Sequence, residues 1–128
     1  MTPTDLRGRV VVLAFWATWC GPTQREFPDL QKTYEQYRGN PNVTFYAVGG
    51  PWGGDTIEKE AAFARRMRLN FPLVFDSDVP RQAFGVRVLP ALIILDGVGH
   101  IRLIHNDYDG SEHLARHVSS EIGALLGN

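Results

Sequence analysis

Phe15-Trp16-Ala17-Thr18-Trp19-Cys20-Gly21-Pro22-Thr23 joins two different sequence patterns. Before it, Val10 to Ala17 is an unbroken apolar run rich in β-branched residues, the pattern of a strand buried on both faces. After it, Phe27, Leu30, Tyr34 and Tyr37 recur at steps of three and four, one face of an amphipathic helix from Gln24 to Arg38. Cys20, the single cysteine of the chain, falls at the turn between them. The Gly-Pro pair that follows puts Cys20 at or just before a first helical turn. Free backbone N–H groups and the helix dipole favour negative charge there. Such surroundings favour a nucleophilic thiolate. A lone cysteine can also be a small buried hydrophobe, but this position points to a reactive one.

The bulk composition excludes several classes. With 128 residues the chain fits one domain, 1–128, large enough for a core without covalent staples. Its formal net charge of −1, with no long block of one sign, gives no support for a nucleic-acid or anionic-membrane partner. One cysteine forbids an intrachain disulfide. No apolar run approaches the ~20 residues of a membrane-spanning helix.

Taken in order, the remaining chain alternates. Pro28 inside the first helix should kink it. Gly39-Asn40-Pro41-Asn42 ends that helix, and Val43 to Val48 reads as a second strand. The glycine-rich loop Gly49 to Asp55 leads to a helix over Thr56 to Leu69. Asp55 is the candidate N-cap with Glu58 three residues on, and Ile57, Ala61, Ala64, Phe63 and Met67 are the candidate inward residues. Phe71 to Asp76 is a short strand, Pro80 to Phe84 a helical turn, and Ala91 to Leu95 a third apolar strand. Asp96-Gly97-Val98-Gly99 turns into a strand over His100 to His105. After a loop at Asp107 to Gly110, Ser111 caps a last helix with Leu114, Val118, Ile122 and Leu125 on one face.

The order βα, βα, β, hairpin, helix requires parallel pairs through right-handed crossovers, extended by antiparallel strands. This order and the string Phe-Trp-Ala-Thr-Trp-Cys-Gly-Pro resemble the thioredoxin-like proteins, most closely the TlpA/ResA branch of thiol-disulfide oxidoreductases. Pro28, Phe71-Pro72, Gly85-Val86, Pro90 and Asp96-Gly97 extend the resemblance over nearly the whole chain. The resemblance implies an α/β thioredoxin fold, a central mixed β-sheet flanked by helices on both faces. It implies Cys20 as the attacking thiol and a cis-proline at Pro90, with the backbone at Leu89 pairing with an extended substrate. Trp19, Gly21 and Pro22 would complete the substrate-binding surface. It further implies a protein or small-thiol disulfide as substrate and neither metal nor nucleotide cofactor. The parent would be longer, exported or membrane-tethered through an N-terminal anchor, and extracytoplasmic.

The chain departs from that pattern in two places. Where the family has Cys-x-x-Cys, this chain has Cys20-Gly21-Pro22-Thr23. Thr23, one turn on from Cys20, can donate a hydrogen bond to a thiolate but cannot resolve a mixed disulfide. Two-electron cycling within the chain is therefore impossible, and release needs an outside thiol. The buried acid that many thioredoxins carry six residues before the cysteine is Ala14 here. Glu26 stands where TlpA-like proteins often have glutamate, though a solvated carboxylate in the first helical turns fits it as well.

These departures leave two further readings. One is a catalytically inert thioredoxin-fold module that holds a partner on the same surface. The other is a thiol peroxidase resembling glutathione peroxidase, to which Cys20-Gly21-Pro22-Thr23 and Gly53-Gly54-Asp55 are similar. That family's glutamine and Trp-Asn pair are missing. Trp16 reads as core, and Trp52 as either rim or loop anchor. His113 and His117 have zinc-like spacing but read as a solvated helix face.

Overall fold

The computed structural model describes residues 7–76, 82–87, 89–106 and 114–127. Strand β1, Val10–Phe15, has all six side chains buried, as its apolar run requires. Helix α1, Gly21–Tyr37, follows directly and runs through Pro28. Next come β2, Val43–Gly49, a short 3-10 turn at Trp52–Gly54, and α2, Ile57–Met67. Then follow β3, Leu73–Phe75, β4, Ala91–Leu95, β5, Ile101–Asn106, and α3, Leu114–Leu125.

The five strands form one sheet in the order β3-β2-β1-β4-β5. β1 pairs in parallel with β2, Val10 opposite Val43 and Phe15 opposite Val48, and β2 pairs in parallel with β3. On its other edge β1 runs antiparallel to β4, with Phe15 opposite Ala91. This mixed sheet is the thioredoxin arrangement that the sequence order implies. The β4–β5 hairpin closes on Asp96, whose carboxylate accepts from the backbone N–H of Val98 and His100 and from Arg102 Nε at 2.8 Å.

Alternation along the strands sorts the core into two layers. Val10, Val12 and Ala14 face α1, α2 and α3 through Phe27, Leu30, Phe63, Leu114, Val118 and Ile122. Val11, Leu13 and Phe15 face the opposite layer, where Trp52 of the 3-10 turn and Val86 cover the sheet. Trp16 lies at the centre of the first layer, with ring centroids 5.2 Å from Phe27 and 5.0 Å from Phe63. Trp16 is thus core, as its setting in an apolar run suggests.

Two local readings change. Thr56, not Asp55, caps α2: its Oγ1 accepts from the Lys59 backbone N–H at 3.1 Å. Ile57, which the apolar pattern turns inward, is 57% exposed, and Glu60 takes a buried position instead. Of the helical turn at Pro80 to Phe84, residues 82–84 are described and 82 and 83 are helical, while Ser111 and the Asp107 to Gly110 loop lie outside the described residues.

Phe27 and Ile57 therefore test the layer assignment. Phe27→Ala should cost about 3–5 kcal/mol in urea unfolding, whereas Ile57→Ser should stay within about 0.5 kcal/mol. Equal losses at the two positions would contradict it.

Candidate functional site

β1 ends at Phe15 and the chain needs five residues to enter α1. That short connection carries Thr18, Trp19 and Cys20 at the end of the sheet where β2 finishes and β4 begins. Because Phe15 pairs with Ala91, the same end also receives Leu89 and Pro90. The Leu89–Pro90 peptide bond is cis, Pro90 is buried and Leu89 packs on the second layer.

Cys20 is the N-cap residue of α1, with extended backbone angles and no capping bond from its side chain. Its backbone carbonyl accepts from Thr23 N–H at 3.2 Å. Only 6% of the residue is exposed. Gly21 is exposed and Pro22 half-buried beside it. Thr23 is completely buried, and among the described residues its hydroxyl has no hydrogen-bond partner. It is a free donor on the face of the helix that carries Cys20. Glu26 lies one turn further and is also buried, so the solvated reading of this carboxylate is wrong.

Trp19 is 56% exposed, the most exposed aromatic at this end of the sheet. Its indole N–H donates to Trp52 O at 2.9 Å, and its ring covers Gly53 so closely that a Cβ there would stand 2.6 Å from Nε1. Gly53 has φ of +60°, so two demands select glycine at this position. Trp52 itself is buried against Phe15 and anchors the loop, which leaves Trp19 alone on the rim.

Below Trp19 lies a pair of acids, Asp55, which the sequence suggests as a helix cap, and Glu60, to which it gives no role. Asp55, buried, accepts from the Thr18 backbone N–H at 2.8 Å and from the Thr18 hydroxyl in a very short bond. Glu60, also buried, reaches from α2 to the Asp55 carboxyl and to the Gly50 backbone N–H. Its carboxyl fills the space above Gly49, where any Cβ would overlap it. Burial, the Asp55 hydrogen bond and the Asp55 charge together push the Glu60 carboxyl up to about 8. At neutral pH this glutamic acid is mainly protonated.

Thus Cys20, Thr23, Trp19, Gly21, Pro22, Leu89 and Pro90 share one end of the sheet. The sequence also contains Asp55 and Glu60 but gives no sign that they belong here. The one available signal is Gly49-Gly50 just after β2, a stretch without side chains that can admit a carboxyl from α2. Among the described residues no group of three or more His, Cys, Asp or Glu side chains is arranged to hold a metal. His117 is exposed on α3, and His113 lies outside the described residues.

A mixed sheet whose first strand delivers a cysteine to a helix N-terminus, opposite a cis-proline, defines a thioredoxin-fold protein of the redoxin type. The chain belongs to the AhpC/TSA family, whose model matches residues 1–104. It is similar to the thiol-disulfide oxidoreductase ResA of Geobacillus thermodenitrificans, 36% identical over 118 residues that cover 91% of this chain and 66% of that protein. It is also similar to the thioredoxin-like protein YneN of Bacillus subtilis, 34% identical over 101 residues, 79% of this chain and 58% of that protein. The chain thus spans about two thirds or less of the length of these curated relatives. Among solved structures, DsbF of Mycobacterium tuberculosis in mixed oxidized and reduced forms superposes with a TM-score of 0.77 at 26% identity, covering 94% of this chain and 84% of that one.

The raised Glu60 carboxyl has a consequence for stability. Unfolded, the group ionises near its ordinary 4.5; folded, near 8. Between these values the folded protein keeps a proton that the unfolded chain has lost. The associated stability is present at acid pH and is lost as pH rises towards 8. Urea midpoints should fall between about pH 5 and about pH 9, and Glu60→Gln should flatten that slope. Identical slopes for the two proteins would refute the assignment.

Proposed function

We propose that the protein is a thiol-disulfide oxidoreductase that works through Cys20 alone. The observation that carries this reading is the pairing of Cys20 at the α1 N-terminus with the unpartnered, buried Thr23 hydroxyl one turn away. The similarity to ResA supports the same chemistry. In the first step the Cys20 thiolate attacks one sulfur of a substrate disulfide. A Cys20–substrate disulfide forms, the substrate S–S bond breaks, and the other sulfur leaves as a thiolate. Thr23 donates its hydroxyl hydrogen bond to the Cys20 sulfur while that sulfur is ionised, and stabilises it as nucleophile and again as leaving group. In the second step an external thiolate attacks the substrate sulfur of the mixed disulfide and expels Cys20 as a thiolate. The net reaction is thiol–disulfide exchange, and the protein is unchanged.

Substrates in this proposal are protein or small-thiol disulfides. An extended segment would lie against the Leu89 backbone, with Trp19, Gly21 and Pro22 as the apolar platform. The parent protein would act outside the cytoplasm, on the strength of the family resemblance. A second reading, an inert partner-binding module, is favoured by one observation: Cys20 is almost covered in the resting structure.

Glutathione-coupled reduction of a small disulfide separates the two. The oxidoreductase reading expects turnover that Cys20→Ser abolishes and Thr23→Val lowers by about tenfold, the effect of one hydrogen bond to a charged group. Mass spectrometry should show one glutathione on Cys20 after exposure to oxidised glutathione. Neither turnover nor adduct would leave the binding module.

A further inference from the structure

The buried Asp55–Glu60 pair is not required by thiol chemistry as such, and neither acid touches the Cys20 side chain through any bond described above. Its geometry nevertheless leads to Cys20 in two short steps. Asp55 holds both the backbone N–H and the hydroxyl of Thr18. Thr18 is followed by Trp19, and Trp19 is held from the other side by Trp52 O. Trp52 and Asp55 belong to the same turn, closed by Asp55 N–H donating to Trp52 O at 3.2 Å. The turn therefore grips two consecutive residues of the loop immediately before the thiol.

On its other side Asp55 meets the Glu60 carboxyl through a side-chain hydrogen bond. A carboxyl oxygen, Glu60 Oε2, is buried and, among the described residues, receives no hydrogen bond from an N–H or hydroxyl group. A proton carried between the two carboxyls satisfies it. With that proton in place the pair bears one negative charge, and Asp55 receives donors from Thr18 and Glu60. Without it, two carboxylates face each other in a site closed by Gly49 and Gly50 on one side and Thr18 on the other.

The surroundings offer no relief. Among the described residues neither Asp55 nor Glu60 has an ion-pair partner, and Asp55 is the one charged group acting on Glu60. From α2, the Lys59 ammonium turns away to Gly54 O at 3.2 Å. From the end of β3, Asp76 approaches Gly49 through its backbone N–H, at 3.0 Å from Gly49 O. The β2 end contributes only the Gly50 N–H, and the loop after β1 only the neutral Thr18. Among the described residues, the other ionisable side chains near this end of the sheet include Cys20 and Glu26 of α1, Asp76 after β3 and Arg87 before the Leu89–Pro90 bond.

We propose that Asp55 and Glu60 are positioning residues for the Cys20 loop: one proton shared by their carboxyls keeps Asp55 bound to Thr18, and loss of that proton releases Thr18 and Trp19 and opens the approach to Cys20. The proposal rests on the reading of Cys20 as the reactive group, since that is what the loop presents. The elevated ionisation range of Glu60, about 8, is consistent with it and sets where the release occurs. Like charges forced together in a buried site are the physical drive. The loop rather than the helix yields, because α1 is fixed by Phe27 and Leu30 in the core while the loop is held by hydrogen bonds to the turn.

The test uses the full chain with Cys20→Ser, so that no thiol titrates and its outcome is independent of turnover. Amide and indole NMR signals are followed from about pH 6 to about pH 9.5. The Thr18 amide should sit downfield at low pH and move through a single step with a midpoint near 8, and the Trp19 indole signal should move with the same midpoint. Adding Glu60→Gln, which keeps shape and a donor but cannot ionise, should abolish both steps. With Cys20 restored, the ratio of alkylation rates, parent over Glu60→Gln, should rise through the same pH. A flat Thr18 amide in the Cys20→Ser protein would overturn the proposal, and so would a step that survives Glu60→Gln. Should the double variant not fold, the Cys20→Ser titration still decides: a flat Thr18 amide overturns the proposal, and a single step near pH 8 shared by the Thr18 amide and the Trp19 indole supports it.

Discussion

Strand β1 has paired neighbours on both edges and buried side chains on both faces, so it cannot slip by one residue. A one-residue shift would exchange Val10, Val12 and Ala14 with Val11, Leu13 and Phe15 between two layers of different shape. It would also break the parallel register with β2 and the antiparallel register with β4 together. That double constraint fixes the level at which the chain leaves the sheet. The thiol is presented there because Phe15 must end opposite both Val48 and Ala91. Trp16 then locks the exit, buried between Phe27 of α1 and Phe63 of α2. The position of Cys20 follows from packing that contains no reactive group.

The buried carboxyls at this end of the sheet are placed differently from the thioredoxin pattern. The β1 position that often carries an acid holds Ala14, which packs in the core. Buried carboxyls arrive instead from Glu26 on α1, Asp55 in the turn and Glu60 on α2. These differ in kind. An acid on β1 would be fixed by the least mobile element of the fold. Asp55 is fixed by a turn that contains two glycines with positive φ and is attached to the sheet through Trp52. Its connection to the thiol therefore runs through the position of the loop, by way of Thr18.

Most of the fold was legible because it rests on periodicity. The apolar run of β1, the three- and four-residue steps of α1 and α3, and the Asp96-Gly97 turn each encode one element locally. The thiol and its companions were legible from Trp19-Cys20-Gly21-Pro22 and from Pro90. Glu60 was not, because its burial depends on a cleft made by absent side chains at Gly49 and Gly50 and on a proton that no sequence displays. Ile57 was misread for the complementary reason. The pattern counts apolar residues, but α2 begins beyond the edge of the apolar layer, and its first turn faces solvent. Asp55 was misread because Thr56 offers an equally good cap and leaves Asp55 free to serve Thr18, 37 residues away in sequence.

The absence of a second cysteine changes what the loop must do. In a two-cysteine protein the resolving thiol is already in place, so release does not require the site to open. In the proposed single-cysteine mechanism the resolving thiolate comes from solution and must reach a sulfur attached to Cys20, which is nearly covered in the structure. Access then limits two steps instead of one: entry of the substrate disulfide and entry of the resolving thiol. Thr23 can stabilise the charge in both but cannot shorten either path. The two loop residues just before Cys20, Thr18 and Trp19, are both held by the Trp52–Asp55 turn. On the proposed mechanism, a single-cysteine site of this form would place control of its rate in that turn, away from the residue that carries the chemistry.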